Sequence, residues 1–193
     1  MLHDSQMIRP ETPNDIDAVR DVHVEAFVDD GRVARLVDVL RATEAPLPPV
    51  SLVAVVDEQV VGHVMLSAGR LDAPRRLVDV LVLSPLGVRP DHQNRGIGTR
   101  LVAEALHAAE QTSAPLLFLE GPPTYYGTRG FRSAGPVGFR KPSLRIPDAA
   151  FQVATFAGHE PWMTGTLVYS EPFWALDCVG LRGADARDRP EPT

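Results

Sequence analysis

Leu77-Val78-Asp79-Val80-Leu81-Val82-Leu83-Ser84-Pro85-Leu86-Gly87-Val88, continued by Arg89-Pro90-Asp91-His92-Gln93-Asn94-Arg95-Gly96-Ile97-Gly98-Thr99, is the stretch that decides the fold. Its first half is almost wholly apolar. A strand buried on one face alternates apolar and polar residues, so a run like this predicts a strand at the sheet centre, covered on both faces. Beyond it, Ile97, Leu101, Val102, Ala105 and Leu106 share one helical face. Pro115 closes that helix, and Leu116 to Leu119 reads as a short buried strand. Strand, glycine loop, helix and strand form a parallel crossover unit, which sets the loop at the strand's carboxyl end beside the helix amino terminus.

The flanking elements are consistent with an α/β fold built on a mixed sheet. Ile8-Arg9-Pro10 is an extended start, and Thr12-Pro13-Asn14-Asp15 begins a helix with a capping threonine, a proline at the first helical position and an acid two residues on. Ile16, Val19, Val22, Ala26 and Phe27 follow at helical spacing, and a second helix runs from Val33 to Leu40. Ser51 to Val56 and Gln59 to Ser67 predict a hairpin about Asp57-Glu58. A short turn or helix is expected around Tyr125-Tyr126, then strands near Phe151 to Phe156 and Thr166 to Tyr169. Pro142, Pro147 and Pro161 interrupt the pattern between them.

Composition bounds the function. The 193 residues are 44% hydrophobic and 23% charged, which predicts one soluble domain over residues 1–181. The last residues, 182–193, hold almost nothing apolar and read as a disordered tail. With 19 basic and 25 acidic residues the net charge is −6, which argues against nucleic acid as the main partner. No apolar run approaches the roughly 18 residues of a membrane span. The start Met1-Leu2-His3-Asp4 lacks the basic and apolar segments of a secretory signal, so a cytoplasmic location is expected. The single cysteine, Cys178, cannot form an internal disulfide and reads as a small buried hydrophobe. His92, His107 and His159 have no metal-ligand spacing, so no metal is expected. Ser84 lacks the Gly-x-Ser-x-Gly setting of a hydrolase nucleophile.

The glycine loop is the one segment whose chemistry opposes the overall charge. Between Arg89 and Arg100 the basic residues Arg89, Arg95 and Arg100 face a single acid, Asp91. Main-chain N–H groups at a helix start are unsatisfied donors with partial positive charge, and Gly96 and Gly98 leave room for an anion to reach them. A nucleotide P-loop would need a lysine after Gly98, where Thr99 stands. A dinucleotide fingerprint would need a third glycine where Leu101 stands.

Leu86-Gly87-Val88-Arg89-Pro90 followed by Gln93-Asn94-Arg95-Gly96-Ile97-Gly98 resembles the acetyl-CoA signature of the GNAT superfamily of N-acetyltransferases. The hairpin ending in Gly62-His63-Val64 and the string Tyr126-Gly127-Thr128-Arg129-Gly130-Phe131 extend the resemblance over residues 8–135. Leu119-Glu120-Gly121-Pro122-Pro123-Thr124-Tyr125-Tyr126 is similar to the YhbS-like branch. The resemblance implies a GNAT-type acyl-CoA N-acyltransferase fold, with the second half of its sheet in 136–181 and a wall of the acceptor site among Phe139, Phe151, Phe156 and Trp162. It also implies acetyl-CoA as co-substrate. The pantetheine arm would pair with the main chain of Leu86 and Val88 on either side of Gly87. The pyrophosphate would sit over Gln93, Asn94, Arg95, Gly96, Ile97, Gly98 and Thr99, with Arg95 and Arg100 able to add charge.

Direct acetyl transfer needs an oxyanion donor, an acid for the departing thiolate and a base for the amine. By the resemblance, a main-chain N–H near Val88 is the oxyanion donor and Tyr126 the acid, while Tyr125 turns into packing. For the base, Glu25, Asp79, Glu120 and His63 remain open and none is assigned. The acceptor is an amine of a small molecule or a protein, and a homodimer through residues 135–169 is compatible with the pattern. Two other readings stand beside this one: a non-catalytic CoA-binding sensor, or a transferase of a larger acyl group.

Overall fold

In the computed structural model, which describes residues 7–43 and 46–180, Leu77–Val88 is the centre of a nine-stranded mixed sheet. The elements in chain order are β1 (Met7–Pro10), α1 (Ile16–Ala26), α2 (Arg32–Arg41), β2 (Val50–Val56), β3 (Gln59–Asp72) and β4 (Leu77–Val88). They continue with α3 (Ile97–Glu110), β5 (Leu116–Glu120), α4 (Pro123–Tyr126), β6 (Arg132–Ser133), β7 (Phe139–Arg140), β8 (Phe151–Thr155), β9 (Gly165–Val168) and α5 (Glu171–Ala175). The strands lie in the order β1-β2-β3-β4-β5-β8-β6, and β9 pairs with both β3 and β7. β4 and β5 run parallel, as the crossover requires. The expected tail at 182–193 lies outside the described residues, and among those residues no helix is long and apolar enough to cross a membrane.

The alternation of side chains builds two cores, one on each side of the sheet. Val78, Val80 and Val82 of β4, with Leu116 and Phe118 of β5, join Val19, Val22, Leu36 and Leu40 of α1 and α2 on one side. Leu81 and Leu83, with Leu117 and Leu119, join Ile97, Leu101, Val102 and Ala105 of α3 on the other. The apolar run of β4 is thus explained by burial on both sides, with Val80 to Leu83 all inaccessible. At the chain's start, Asp15 accepts from the Thr12 main-chain N–H and hydroxyl, each at 2.7 Å, and from both terminal nitrogens of Arg9. The Arg9 guanidinium, with the Thr12 donors, holds its carboxyl well below the usual range.

Two boundaries and one strand register go beyond the sequence reading. β3 extends to Asp72 because Ala68 to Asp72 pair with Leu81 to Leu77 of β4, and β9 adds a second partner at Arg70, Leu71 and Asp72. α3 ends at Glu110, ahead of Pro115. The β3–β4 register shifts between Val64 and Leu66, where β4 carries an extra residue around Ser84-Pro85. Past that bulge β4 separates from β5. The parallel pairing covers only Leu81 with Leu117 and Val82 with Phe118, so residues 83–88 have β3 on one side and a gap on the other.

Candidate active site

The gap is where main-chain groups are left open. Arg89 N–H bonds the Val61 carbonyl at 2.9 Å. Alternation along an antiparallel strand then turns the amides of Val88 and Leu86 away from β3 and into the gap. The Val88 carbonyl confirms the direction, since it accepts the side-chain amide of Gln93 at 3.0 Å from the loop beyond.

Two cavities meet at Leu86. The second, of about 510 Å³, is lined by Leu86 and Val88, by Gln93 and Asn94, and by Gly96, Ile97, Gly98 and Thr99 at the start of α3. Asn94 and Gly96 both lie in the left-handed region, with φ of 61° and 80°, and bend the loop so that α3 begins without any side-chain cap. The first intrahelical bond is from Arg100 N–H to the Gly96 carbonyl at 3.1 Å, so the N–H groups of Ile97, Gly98 and Thr99 precede it and face the cavity mouth. The Ile97 side chain turns inward, to the core beside Gly62.

Two of the expected contact residues lie elsewhere. Arg95 is exposed and does not line this cavity. Gly87 faces the opposite side of the sheet, where a Cβ would stand 2.8 Å from His23 Nδ1. Tyr125, expected in packing, instead lines the cavity, with its hydroxyl 2.6 Å from where a Gly98 Cβ would be. Arg129 was missed altogether. Its guanidinium lies 3.9 Å over the Tyr125 ring, bonds Thr99 Oγ1 at 3.1 and 2.8 Å and reaches the Tyr125 carbonyl. Arg129 lies in the turn that follows α4, which folds its cation back over the Tyr125 ring.

The first cavity, of about 480 Å³, holds Tyr126, Glu120 and Tyr169 among apolar neighbours. Tyr126 is buried, and its ring lies directly on Gly121, where a Cβ would fall 2.8 Å from Cδ2 and closer still to Cε2. Phe131 meets the ring edge-on at 5.8 Å. Burial raises the phenol above its ordinary range, so it carries its proton at any working pH. Glu120, at the end of β5, accepts the Tyr169 hydroxyl at 2.7 Å and the Gly180 N–H at 3.0 Å. Burial pushes its carboxyl up, against the opposing effect of these two bonds.

The other candidate bases are placed differently. Glu25 and Asp79 are exposed and pair with Arg89 at 3.0 Å and Arg70 at 3.7 Å. His63 is buried beneath the sheet and lines neither cavity. Of segment 135–169, Tyr169 reaches the first cavity, whereas Phe139 and Phe151 are core residues and Trp162 lies beneath Arg75 and Arg76. Cys178 is half-buried: it packs against the core on the α1 and α2 side and also lines the first cavity. Among the described residues no group of three His, Cys, Asp or Glu could hold a metal ion.

A family model described as the acetyltransferase (GNAT) family matches residues 16–131. The chain belongs to that family. It is thereby an acyltransferase, and its fold agrees with solved members. It is 28% identical over 167 residues to the uncharacterized N-acetyltransferase YjhQ of Escherichia coli K12, covering 82% of this chain and 89% of that protein. The GNAT family N-acetyltransferase YhbS from Escherichia coli, solved in complex with CoA, superposes with a TM-score of 0.79 at 26% identity over 95% of this chain and 98% of that one. A GNAT family acetyltransferase from Brucella melitensis, solved in complex with acetyl-CoA, gives a TM-score of 0.69 at 30% identity over 89% and 99%.

Proposed function

We propose that the protein moves the acetyl group of acetyl-CoA directly to an amine bound in the first cavity. The observation that carries this reading is the meeting of two cavities at Leu86, one walled by open N–H groups and the other holding a phenol and a buried carboxylate. Relatives solved with CoA and with acetyl-CoA support the choice of co-substrate. So does the fit of this chain: Gly96 has nothing within 4 Å of a Cβ position, and the capless start of α3 supplies donors for a pyrophosphate. Arg129 and Tyr125 would flank that group. The main-chain amides of Leu86 and Val88 would hold the pantetheine arm in the gap of the sheet. The thioester supplies the activated acyl carbon.

The residues divide the proton traffic between them. An alkylammonium titrates near 10, so the attacking nitrogen must lose a proton, and Glu120 is the carboxylate in the cavity whose burial narrows the mismatch. A main-chain N–H at the gap meets the negative charge that builds on the carbonyl oxygen. Tyr126 donates to the sulfur as the C–S bond breaks. Its raised pKa makes complete transfer to a thiolate uphill, so its part is a hydrogen bond that tightens in the transition state. The test is release of CoA thiol from acetyl-CoA in the presence of simple amines. Calorimetric binding of acetyl-CoA without any release would reduce the protein to a CoA-binding module.

A further inference from the structure

The second cavity holds an ionisable side chain that acetyl transfer as described above leaves idle. His92 lines it, in the short turn Pro90–His92 that leads β4 into the glycine loop. Its Nδ1 lies 2.8 Å from Asp91 Oδ1. A carboxylate only accepts, so Nδ1 carries the proton of that bond. The same bond holds the Asp91 carboxyl below its ordinary range and keeps it charged. Asp91 is exposed and lies outside the cavity lining, so one edge of the ring is tied to the outer side of the loop. Nε2, on the opposite edge, has no hydrogen-bond partner among the described residues.

The charged groups around this pair are few. Arg89 Nε stands 3.9 Å from Asp91 Oδ1, and the Arg89 guanidinium is held by Glu25 of α1 at 3.0 Å. Arg129 shares the cavity wall and donates to Thr99 Oγ1 and the Tyr125 carbonyl. Arg95 and Arg100 are exposed and do not line the cavity.

We propose that His92 is a ligand of the pyrophosphate of acetyl-CoA and binds it as an imidazolium, so that the protein takes up a proton as the co-substrate enters. The inference rests on the acetyl-CoA reading of this cavity and adds to it a residue and a proton. With Nδ1–H committed to Asp91, a neutral ring presents a lone pair at Nε2, which repels a phosphate oxygen. Protonation turns that nitrogen into a charged donor. An anion at each edge of the ring then favours the charged form more than the exposed Asp91 does alone. Histidine ordinarily changes charge between about pH 5 and 8, whereas the guanidinium of Arg129 and the main-chain N–H groups act alike throughout that range. Affinity for the co-substrate therefore weakens as pH rises, opposite in sense to the loss of the Glu120 base as pH falls.

The experiment measures calorimetric binding to the full chain at pH 6, 7 and 8, in paired buffers of different ionisation enthalpy so that protons taken up are counted. Dephospho-CoA is the probe, because the monoester phosphate of CoA itself titrates near pH 6. The wild type should take up roughly half a proton at pH 7 and bind about 5-fold or more tightly at pH 6 than at pH 8. His92→Gln, a neutral donor, should show neither effect, and His92→Lys, a lasting charge, should bind tightly at all three values. Absence of proton uptake in the wild type, which needs no variant, would overturn the assignment, as would unchanged uptake in a folded His92→Gln. Either result leaves acetyl-CoA in its cavity. Binding of CoA without dephospho-CoA would move recognition to the monoester phosphate and overturn the role of His92 at the pyrophosphate. Binding of neither would overturn the acetyl-CoA reading itself.

Discussion

His23 Nε2 and His63 Nδ1 lie 2.7 Å apart, with both residues wholly buried between α1 and the sheet. His63 Nε2 in turn lies 2.8 Å from Ser51 Oγ, whose hydroxyl donates to Glu11, and Glu11 is held by Arg41 at 2.7 Å. Since the carboxylate can only accept and the hydroxyl has one proton, the direction of every bond follows. Ser51 donates to Glu11, His63 donates to Ser51, and His23 donates to His63. His23 Nδ1 is left as a bare lone pair over Gly87, and among the described residues it has no partner.

This chain of neutral rings makes the fold sensitive to acid. Burial lowers the His23 pKa from 6.5 to about 4, and burial beside His23 and Arg41 holds that of His63 well below its ordinary value. Both groups are depressed in the folded state, so their contribution is complete above pH 6.5 and is lost as pH falls toward 4. His23 alone should cost about 2 kcal/mol between pH 8 and pH 5. Glu120, with its raised carboxyl, works in the opposite sense in part of this range, so the comparison is best made in Glu120→Gln. Urea midpoints at pH 8, 6.5 and 5 provide the check, and a flat profile would refute the buried neutral pair.

Tyr126→Phe should lower kcat by about 10²-fold while leaving the affinity for acetyl-CoA nearly unchanged. Gly121→Ala acts on the same ring from behind, because even a methyl group there overlaps Tyr126. Its kcat should fall by about 10-fold or more, with an acetyl-CoA dissociation constant close to wild type. Equal kcat in both variants, with chemistry rate-limiting, would remove the phenol from the mechanism.

Glu120 must be ionised to take a proton, and its carboxyl titrates above the ordinary 4.5. The acidic limb of kcat/KM should therefore fall off at a pH above that value. In Glu120→Gln this limb should vanish along with most of the turnover. Persistence of the same limb in the variant would assign it to another group.

Gly96 and Gly98 should respond differently to the same alanine. At Gly98 the new Cβ meets the Tyr125 hydroxyl at 2.6 Å, so the tip of that side chain must shift within the cavity wall and acetyl-CoA should bind at least 10-fold more weakly. At Gly96 there is open space but a φ of 80°, so Ala should cost about 1–2 kcal/mol in stability, and Asn, which tolerates that region, less. Paired thermal melts and calorimetric titrations distinguish the two effects.

Local sequence carried the crossover unit because its signals are local. The uninterrupted apolar run of β4, the glycine before Ile97 and the helical spacing through Ala105 each reflect forces acting within a few residues. The two-residue strands β6 and β7 were not legible, since they exist through pairing with residues far along the chain. At the site, the main chain of the loop could be read from glycine placement. Glu120 could not be told from Glu25 or Asp79 until Tyr169 and Gly180, distant in sequence, closed over it.

The parting of β4 from β5 also bears on solubility. A strand edge with open amides is a template on which another chain can add, and the outer edges here are blunted by a four-residue β1 containing Pro10 and a two-residue β6. The open half of β4 needs no such device. It lies inside the sheet, past the last β4–β5 pair at Val82 and Phe118 and with β3 along its other side, so its unpaired amides are not at an outer edge where a second copy could add a strand.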